Sequence, residues 1–478
     1  MRIYISPKNN KIIDYVNSSY YSANHSFNWG NWTNLIIISF CSVFYIRIFC
    51  SVTSAPSILN HVHFLVVLIV FLLVLTKHGV ISDSKSHKLF ISLILGLFVF
   101  LIAIFISAFW NQSGVINAIA SYLMLGEPII FLATIICIPI SLKSLRRIER
   151  FVMWSVIINF VLAAVQKPLI DAGKLYAQGF NGTDGCGGVF FVSGAGNYVS
   201  ASVSIAFALY YMANKKSVPV WMRFAMLLGA FWQVLFSDSK QLVLGYIIAW
   251  ILLVLMKSSD FSKAIKLLIG MIISMLAFIW CVQNIEYFRA FQSWARPELY
   301  GADGEAWYAK FYSLRVILSK FGSPLNWLFG LGPGHTVSRL GGWFLQDYKD
   351  ILAPLGATTT SIGLDSRAFI ENYWLTSGST LFSPIFGWAG VFGDLGLFGT
   401  ISYMYMGYIV WKNLCFDDSL KVTLLYIFSL GFIFTQLEEP GYMISVAMLL
   451  GLAWHERRLK SDNRQLSTPV LPTDRVIY

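Results

Sequence analysis

The chain contains a long series of apolar stretches, each long enough to cross the roughly 30 Å hydrocarbon core of a bilayer. We identify about twelve of them. They lie near residues 34–53, 61–77, 89–110, 115–140, 151–166, 194–213, 220–236, 241–256, 263–283, 389–411, 420–436 and 440–454. Charged residues make up only 12% of the 478 residues, about half their usual share in soluble domains. This composition excludes a soluble enzyme, a disordered protein and a disulfide scaffold, and it predicts an all-α polytopic membrane protein.

The positions of lysine and arginine predict the orientation of the chain. Three short loops, near 54–60, 111–114 and 437–439, contain no lysine or arginine, whereas the loops on the other side contain many. Because cations concentrate in cytoplasmic loops, we expect both termini to lie in the cytoplasm. The formal net charge of +11 follows from these loops, and no compact basic domain predicts a nucleic-acid partner.

The predicted spans divide the chain into five parts. These are a cytoplasmic tail at 1–32, transmembrane helices 1–9 at 33–283, an extracytoplasmic loop at 284–388, helices 10–12 at 389–455, and a cytoplasmic tail at 456–478. The loop of about 100 residues is too long to be a simple connector.

Residues 305–321 of this loop have apolar side chains at helical spacing. The pattern predicts an amphipathic helix that lies on the outer membrane interface. Arg315 falls on the flank of the apolar stripe, at the depth of the lipid headgroups. The residues of the stripe are Trp307, Phe311, Leu314, Leu318 and Phe321.

Two turns could bind an anion. In the first, Ser237, Ser239 and Lys240 stand at the start of a predicted helix, where hydroxyls, backbone N–H groups and a cation favour negative charge. A snorkelling lysine in a capping turn is the alternative. In the second, Gly332 and Gly334 flank a proline and would let backbone N–H groups approach a phosphate.

Arginines and acids on the predicted outer side form two further groups. Guanidinium forks match diphosphate oxygens, although we expect most of these arginines to be solvated loop charges. They are Arg289, Arg296, Arg315, Arg339 and Arg367. A partly buried acid could serve as a general base. The acids near the outer ends of spans are Asp394, Glu438 and Glu439, and Glu127 lies inside the fourth span.

The order of these motifs is recognisable. A Ser-x-Ser-cation turn is followed by a long outer loop with Arg315 on its interfacial helix, then by the turn Phe329–Gly334, and then by Gly393-Asp394-Leu395-Gly396-Leu397-Phe398-Gly399 at the start of a late span. Over residues 190–455 this resembles the O-antigen ligase and polymerase family, polytopic glycosyltransferases of bacterial surface-polysaccharide assembly.

The resemblance implies a membrane fold related to the GT-C class and an active site on the outer face of the cytoplasmic membrane. A polymerase of this family moves a growing glycan from undecaprenyl diphosphate onto the next lipid-linked repeat unit of an O-antigen, capsule or exopolysaccharide. The implied partners are the lipid-linked oligosaccharide, the bilayer, a chain-length regulator and other assembly proteins. No cofactor is implied, and no carboxylate cluster has the spacing of a metal site.

The family's two diphosphate-binding cations correspond to Lys240, which stands where the family has arginine, and Arg315. Ligases carry a histidine about eleven residues before the late Gly-x-x-Gly, where this chain has Ile385. The missing histidine favours a polymerase over a ligase. It leaves the general base open among Asp394, Glu438, Glu439 and His335.

A twelve-span count also suits a secondary transporter, and a flippase for lipid-linked sugars would share both substrate and membrane. Transporters often have paired halves with discontinuous helices, and we find no such symmetry here. A flippase would need cations along an interior cavity, yet most spans are plainly apolar. The ligase, transporter and flippase therefore remain as alternatives.

Overall fold

The computed structural model describes residues 29–76, 84–175, 185–191, 195–216, 218–257, 261–285, 297–301, 304–378 and 380–467. Arg289 and Arg296, two of the arginines singled out above, lie outside these residues. The described residues form helices and turns, with no strand among them.

Within the described residues, ten helices come before the long loop. They are α1 (Trp29–Phe44), α2 (Ile46–Thr53), α3 (Val62–Thr76), α4 (Ser84–Trp110), α5 (Val115–Cys137), α6 (Leu142–Asp171), α7 (Gly196–Asn214), α8 (Val220–Phe236), α9 (Gln241–Lys257) and α10 (Phe261–Asn284). The loop itself contains α11 (Pro297–Tyr300), α12 (Glu305–Lys310), α13 (Tyr312–Ser319), α14 (Pro324–Phe329), α15 (Leu345–Asp347), α16 (Lys349–Leu352), α17 (Ser361–Asn372) and α18 (Trp374–Gly378). The last three helices are α19 (Gly387–Leu414), α20 (Asp418–Leu430) and α21 (Pro440–Ser467).

Five helical segments among the described residues are long and apolar enough to cross a membrane. They are Ser57–Thr76, Ser84–Trp110, Val115–Cys137, Leu142–Asp171 and Thr380–Leu414. Helices α1 and α2 meet at an angle of 55° and would make a sixth span if they cross together. The fold is therefore that of a helical membrane protein, whereas twelve spans and a GT-C-like arrangement are not confirmed.

Helix α7 illustrates why apolar stretches and spans differ in number. The stretch predicted at 194–213 does form a helix, but nearly all of its side chains are buried inside the protein. Its polar residues Asn197, Ser200, Ser202 and Ser204 lower its hydropathy and pack against other helices. Such a helix lies in the interior of the bundle, where its apolar side chains contact other helices instead of lipid.

The predicted interfacial helix at 305–321 is interrupted. Helix α12 ends at Lys310 and α13 begins at Tyr312, with Phe311 between them. The buried positions are Ala306, Ala309, Ser313 and Ile317. The prediction of one continuous helix was therefore wrong, because the backbone leaves the helical conformation at Phe311, with φ −99° and ψ 10°. Phe311, Leu314 and Phe321 of the predicted stripe pack partly buried against the core.

The loops meet at two ends of the bundle. At one end, the N–H of Gly114 donates to Oγ1 of Thr358 at 3.1 Å, and the Tyr348 hydroxyl donates to Ser57 at 3.1 Å. At the other end, Lys215 forms ion pairs with Glu149 and Glu456, 66 and 241 residues away in sequence. The lysine-free loops are thus grouped at the first end. Which end faces the cytoplasm stays a prediction.

Candidate functional site

Two glycine motifs singled out in the sequence contact each other. Helix α14 (Pro324–Phe329) begins at a capping box formed by Ser323 and Asn326, and Gly330, whose φ is +72°, caps its C-terminal end. Gly330 packs directly against the backbone of Asp394, and the N–H of Leu331 donates to the carbonyl of Gly393 at 2.8 Å. Helix α19 is broken at this point. The turn 330–334 therefore lies on the broken part of a membrane helix.

Asp394 anchors the turn from within the protein. The residue is 2% exposed, and its carboxylate accepts N–H groups from Gly334 and Thr336, each at 2.8 Å. The hydroxyls of Thr336 and Ser338 add hydrogen bonds of 2.6 Å each. Hydrogen bonds to a charged group contribute about 1.5–3 kcal/mol each. The N–H of Gly334, predicted to approach a phosphate, thus binds the protein's own carboxylate.

Gly332 contributes to the same anchor through its backbone. Its N–H donates to the carbonyl oxygen of Asp394 at 3.0 Å, and Ser107 donates to the same oxygen at 2.7 Å. The described structure therefore uses both glycines to dock the turn on α19. Their role in binding a substrate stays a prediction.

Glu438 holds the segment that follows the turn. It lies in the short 3₁₀ helix Gln436–Glu438 between α20 and α21, and its Oε2 accepts the backbone N–H of Arg339. Its Oε1 is buried and has no hydrogen-bond partner among the described residues. Burial, together with the nearby Asp394 carboxylate, raises the pKa of Glu438 to about 8. This carboxyl group can therefore gain and lose a proton near neutral pH.

A small cavity separates Glu438 from Asp394. Its volume is about 10 Å³, which is enough for about one water molecule. Both acids line it, together with Ser121 of α5 and Ser338. The two acidic residues therefore line one shared space that is too small for a sugar.

Glu439 binds two arginines. Nη2 of Arg47 lies 2.6 Å from Oε1 of Glu439, and the guanidinium of Arg339 contacts the same carboxylate. The side chains of Arg47 and Arg339 are 10% and 20% exposed, whereas that of Glu439 is 1% exposed. Burial and the nearby Arg47 lower the pKa of Arg339 to about 9, which keeps it charged at neutral pH. Two nearly buried cations thus share one carboxylate.

His335 connects the turn to a neighbouring loop. Its Nδ1 lies 2.9 Å from the carbonyl oxygen of Leu331, and its Nε2 lies 2.8 Å from Oγ1 of Thr358. A carbonyl only accepts, so Nδ1 carries the proton and Nε2 accepts from Thr358. Both ring nitrogens are engaged in this structure, as expected for a structural histidine.

The remaining predicted cations contact their own surroundings. Arg315 is exposed, stacks 4.5 Å from the Tyr308 ring centroid and donates to the Tyr308 carbonyl at 2.6 Å. Lys240 lies 3.0 Å from Asp238. Arg367 stacks 4.5 Å from the Trp343 ring centroid and pairs with Asp347 at 2.9 Å. The predicted binding roles of these three cations stay predictions.

The turn at Ser237 and Ser239 is closely packed. Both side chains are buried, with their hydroxyl oxygens 3.2 Å apart. The Ser237 hydroxyl also donates to the Gln233 carbonyl at 2.6 Å, and Asn197 donates to the Ser237 carbonyl at 3.1 Å. These contacts hold the turn against α7 and the end of α8, and its role in binding an anion stays a prediction.

Sequence reasoning missed Arg47, Thr336 and Ser338. Arg47 lies inside the predicted apolar stretch 34–53, and an ionisable residue within such a stretch is a functional candidate by itself. That signal could have identified it. Thr336 and Ser338 follow the glycine turn without any distinctive pattern, so only the structure identifies them as partners of Asp394.

A second polar contact lies deeper in the bundle. Glu127 of α5 is 1% exposed, and its Oε1 lies 2.7 Å from Nδ1 of His63 on α3. Both residues belong to segments that are apolar enough to span a membrane. Helix α5 continues through Pro128, so His63, rather than a helix break, provides the contact to Oε1 of Glu127, whereas Oε2 is buried with no hydrogen-bond partner among the described residues.

A scan against protein-family models finds no match for this chain, and a search of curated proteins also finds none.

Proposed function

We propose that this chain is a polysaccharide polymerase of the bacterial cytoplasmic membrane. It would transfer a growing glycan from undecaprenyl diphosphate onto the next lipid-linked repeat unit. One observation carries the proposal: Arg47, Arg339 and three buried acids form a network on a glycine-rich turn at one end of an apolar helix bundle. The resemblance of the motif order to O-antigen ligases and polymerases supports the same function.

In this reaction the protein mainly positions the two substrates and stabilises the charge of the leaving group, and it forms no covalent bond to the glycan. The acceptor hydroxyl oxygen forms a bond to the anomeric carbon, and the bond from that carbon to the diphosphate oxygen breaks. The diphosphate leaves with the electron pair, and the hydroxyl proton passes to a base. Cations that neutralise the departing diphosphate lower the barrier.

Among the four candidate bases, we assign the proton acceptor to Glu438. Asp394 accepts four hydrogen bonds, Glu439 binds two arginines, and both nitrogens of His335 are engaged. Glu438 keeps an oxygen without a hydrogen-bond partner among the described residues and borders a cavity the size of one water. A water in this cavity would connect the carboxylate to the acceptor hydroxyl.

A transporter or flippase is the second candidate function, and the His63–Glu127 pair favours it. Ionisable pairs inside membrane spans often mark proton pathways in transporters. The ligase alternative lacks the histidine expected near Ile385. The three functions differ in which lipid-linked intermediate they leave behind, so one experiment separates them.

The test follows lipid-linked glycans in cells that lack the chain and are complemented with variants. Arg339→Ala and Arg315→Ala should abolish long polymer and leave single repeat units on the outer leaflet, because the diphosphate loses a cation. Lys349→Ala removes an exposed cation from the same loop and serves as the control. Membrane levels of each variant are measured in parallel.

The other outcomes identify the alternatives. Repeat units that accumulate on the inner leaflet would indicate a flippase. Long polymer that stays on its lipid carrier would indicate a ligase. Unchanged polymer in cells that lack the chain would contradict a role in this assembly altogether.

A further inference from the structure

We propose that Lys310 acts as an uncharged amine that fastens helix α12 of the long loop to the turns before α19 and after α20, and that protonation of this amine releases the contact. This role does not depend on the proposed function, because it concerns the position of the loop rather than the transfer of a glycan. Lys310 is the last residue of α12 and is partly buried.

The side-chain nitrogen of Lys310 joins three segments of the chain. It donates to the carbonyl oxygen of Ser383 at 2.9 Å and to that of Ile433 at 2.8 Å. Ser383 lies before α19, and Ile433 follows the end of α20. The two turns also bind each other, because the N–H of Gly387 donates to the carbonyl of Phe434 at 2.8 Å. Lys310 is thus the point where α12 meets a pair of joined turns.

The number of acceptors around this nitrogen matches an uncharged amine. An ammonium group has three N–H donors, whereas an uncharged amine has two, and the described residues give Nζ of Lys310 two acceptors. Phe386 packs against the same nitrogen, with its ring centroid 5.0 Å away. An aromatic face attracts a cation more weakly than a carboxylate does, so this ring only partly compensates an ammonium for the water that it loses.

No acid pairs with Lys310 among the described residues. Glu305, on the same helix, instead accepts the indole N–H of Trp374 at 2.9 Å. The segments that contact α12 without carrying any charged residue are 374–378, 380–387 and 431–435. The other titratable residues on α12 and on the helices packed against it are Glu298, Tyr300, Tyr308, Tyr312 and Arg315. Burial without a carboxylate partner lowers the pKa of Lys310 from 10.5 to about 7.

The lowered pKa makes the contact sensitive to acid. When Lys310 is released into water it keeps its proton up to about pH 10.5, whereas in the contact it loses the proton near pH 7. Between these two values the released form binds more protons than the docked form, so the contact strengthens as the pH rises through this range. Lowering the pH from 8 to 6 should therefore weaken the docking of α12 by about tenfold.

The first experiment measures the protonation of Lys310 directly. The full-length protein in phosphatidylcholine nanodiscs is treated briefly with acetic anhydride between pH 6 and 10, and the acetylated peptides are quantified by mass spectrometry. Only an uncharged amine attacks the anhydride, with loss of acetate and of the amine proton to water. The reactivity of Lys310 should reach half of its maximum near pH 7, whereas that of the exposed Lys349 should still rise at pH 10. A profile of Lys310 that follows that of Lys349 would overturn the proposal.

Two variants separate an uncharged role of Lys310 from a cationic one. Lys310→Gln keeps two N–H donors without a charge, and Lys310→Arg keeps a charge at every working pH. Hydrogen exchange of the peptide 305–310 at pH 8 should match the unmodified protein in Lys310→Gln and be about tenfold faster or more in Lys310→Arg, because the charged side chain leaves the contact. Lys320→Arg is the matched control, since Lys320 is exposed at the end of α13, and it should change nothing.

Acid should change the exchange of the unmodified protein in the same way. At pH 6 its peptide 305–310 should exchange faster than that of Lys310→Gln, and comparison at one pH cancels the intrinsic effect of pH on exchange. Docking that is kept in Lys310→Arg and lost in Lys310→Gln would overturn the proposal and assign Lys310 the role of a cation. Equal exchange in all variants would also overturn it. If Lys310→Arg fails to fold, the acetylation profile of the unmodified protein still decides between the two roles. Neither experiment involves glycan transfer, so a failed polymerase proposal leaves this test intact.

Discussion

Asp394 and Glu438 show how one chemical group takes two roles. Both are buried carboxyl groups that border the same cavity. Four donors surround Asp394 and occupy both of its carboxylate oxygens. Glu438 has one oxygen without a hydrogen-bond partner among the described residues, so burial dominates and its proton is held more tightly. The first residue organises a turn, and the second is suited to exchange a proton.

The raised pKa of Glu438 predicts a pH dependence. A general base works in its ionised form, so polymer formation should rise with pH as Glu438 loses its proton near pH 8. Glu438→Gln should reduce the rate by about 10²-fold or more and remove this rise. The rate is measured between pH 6 and 9 in isolated membranes loaded with the lipid-linked repeat unit.

Arg367→Gln serves as the comparison in that experiment. It removes the guanidinium that stacks on Trp343, and the shape of the pH profile should stay as in the unmodified protein. A rise that persists in Glu438→Gln would assign the base to another group. A rate that falls across the same range would contradict the proposed role of Glu438.

At the scale of elements, the site depends on the contact between α14 and the broken helix α19. Gly330 and Gly396 both have positive φ, +72° and +63°. A Cβ on Gly330 would lie 2.4 Å from the Asp394 backbone, and one on Gly396 would lie 2.5 Å from the backbone N of Gly330. Backbone atoms cannot give way as flexible side chains can, so this contact requires glycine on both sides.

Gly330→Ala and Gly396→Ala should therefore each destabilise the protein by at least about 2 kcal/mol, from backbone strain and overpacking. Gly407→Ala is the control on the same helix, because a Cβ there would meet no atom within 4 Å. It should be neutral or slightly stabilising, since alanine favours helix. Thermal melting of the purified variants measures the difference, and equal melting of all three would contradict the predicted contact.

At the scale of the whole molecule, the loops form two groups at opposite ends of the bundle. The lysine-free loops gather with Arg47, Arg339 and Glu439. The other end holds ion pairs among Lys215, Glu149 and Glu456, and Lys257 pairs with Asp418. The acidic residues at that end therefore neutralise some of the lysines whose abundance predicts that this end faces the cytoplasm.

Cysteine labelling tests this arrangement in a variant without the six native cysteines. Cysteine at Gln112 and at Lys349 should react with an impermeant reagent from outside the cell, and cysteine at Arg146 and at Lys216 should react only after the membrane is opened. All four residues are exposed. Labelling of Gln112 and Lys349 from different sides would contradict the grouping. The reverse pattern for all four would invert the predicted orientation.

Much of the fold could be predicted because it depends on local properties. Apolar stretches form helices wherever they are long enough, and the glycine motifs at 330–334 and 393–399 predicted an irregular backbone. The number of spans could not be predicted in the same way. Helix α7 forms where an apolar stretch was predicted, but it is mostly buried in protein and has polar side chains that contact other helices, so it is not among the candidate spans.

The sequence by itself determined that this is a helical membrane protein and which turns and charges could matter. Only the tertiary structure decided which of them meet. Arg47 and Glu439 are 392 residues apart, and Asp394 and Gly334 are 60 apart. Local patterns extend over a few residues, because they arise from backbone sterics and side-chain periodicity. Contacts between distant residues instead depend on how the helices pack, so the acid and arginine network became visible only once the bundle was assembled.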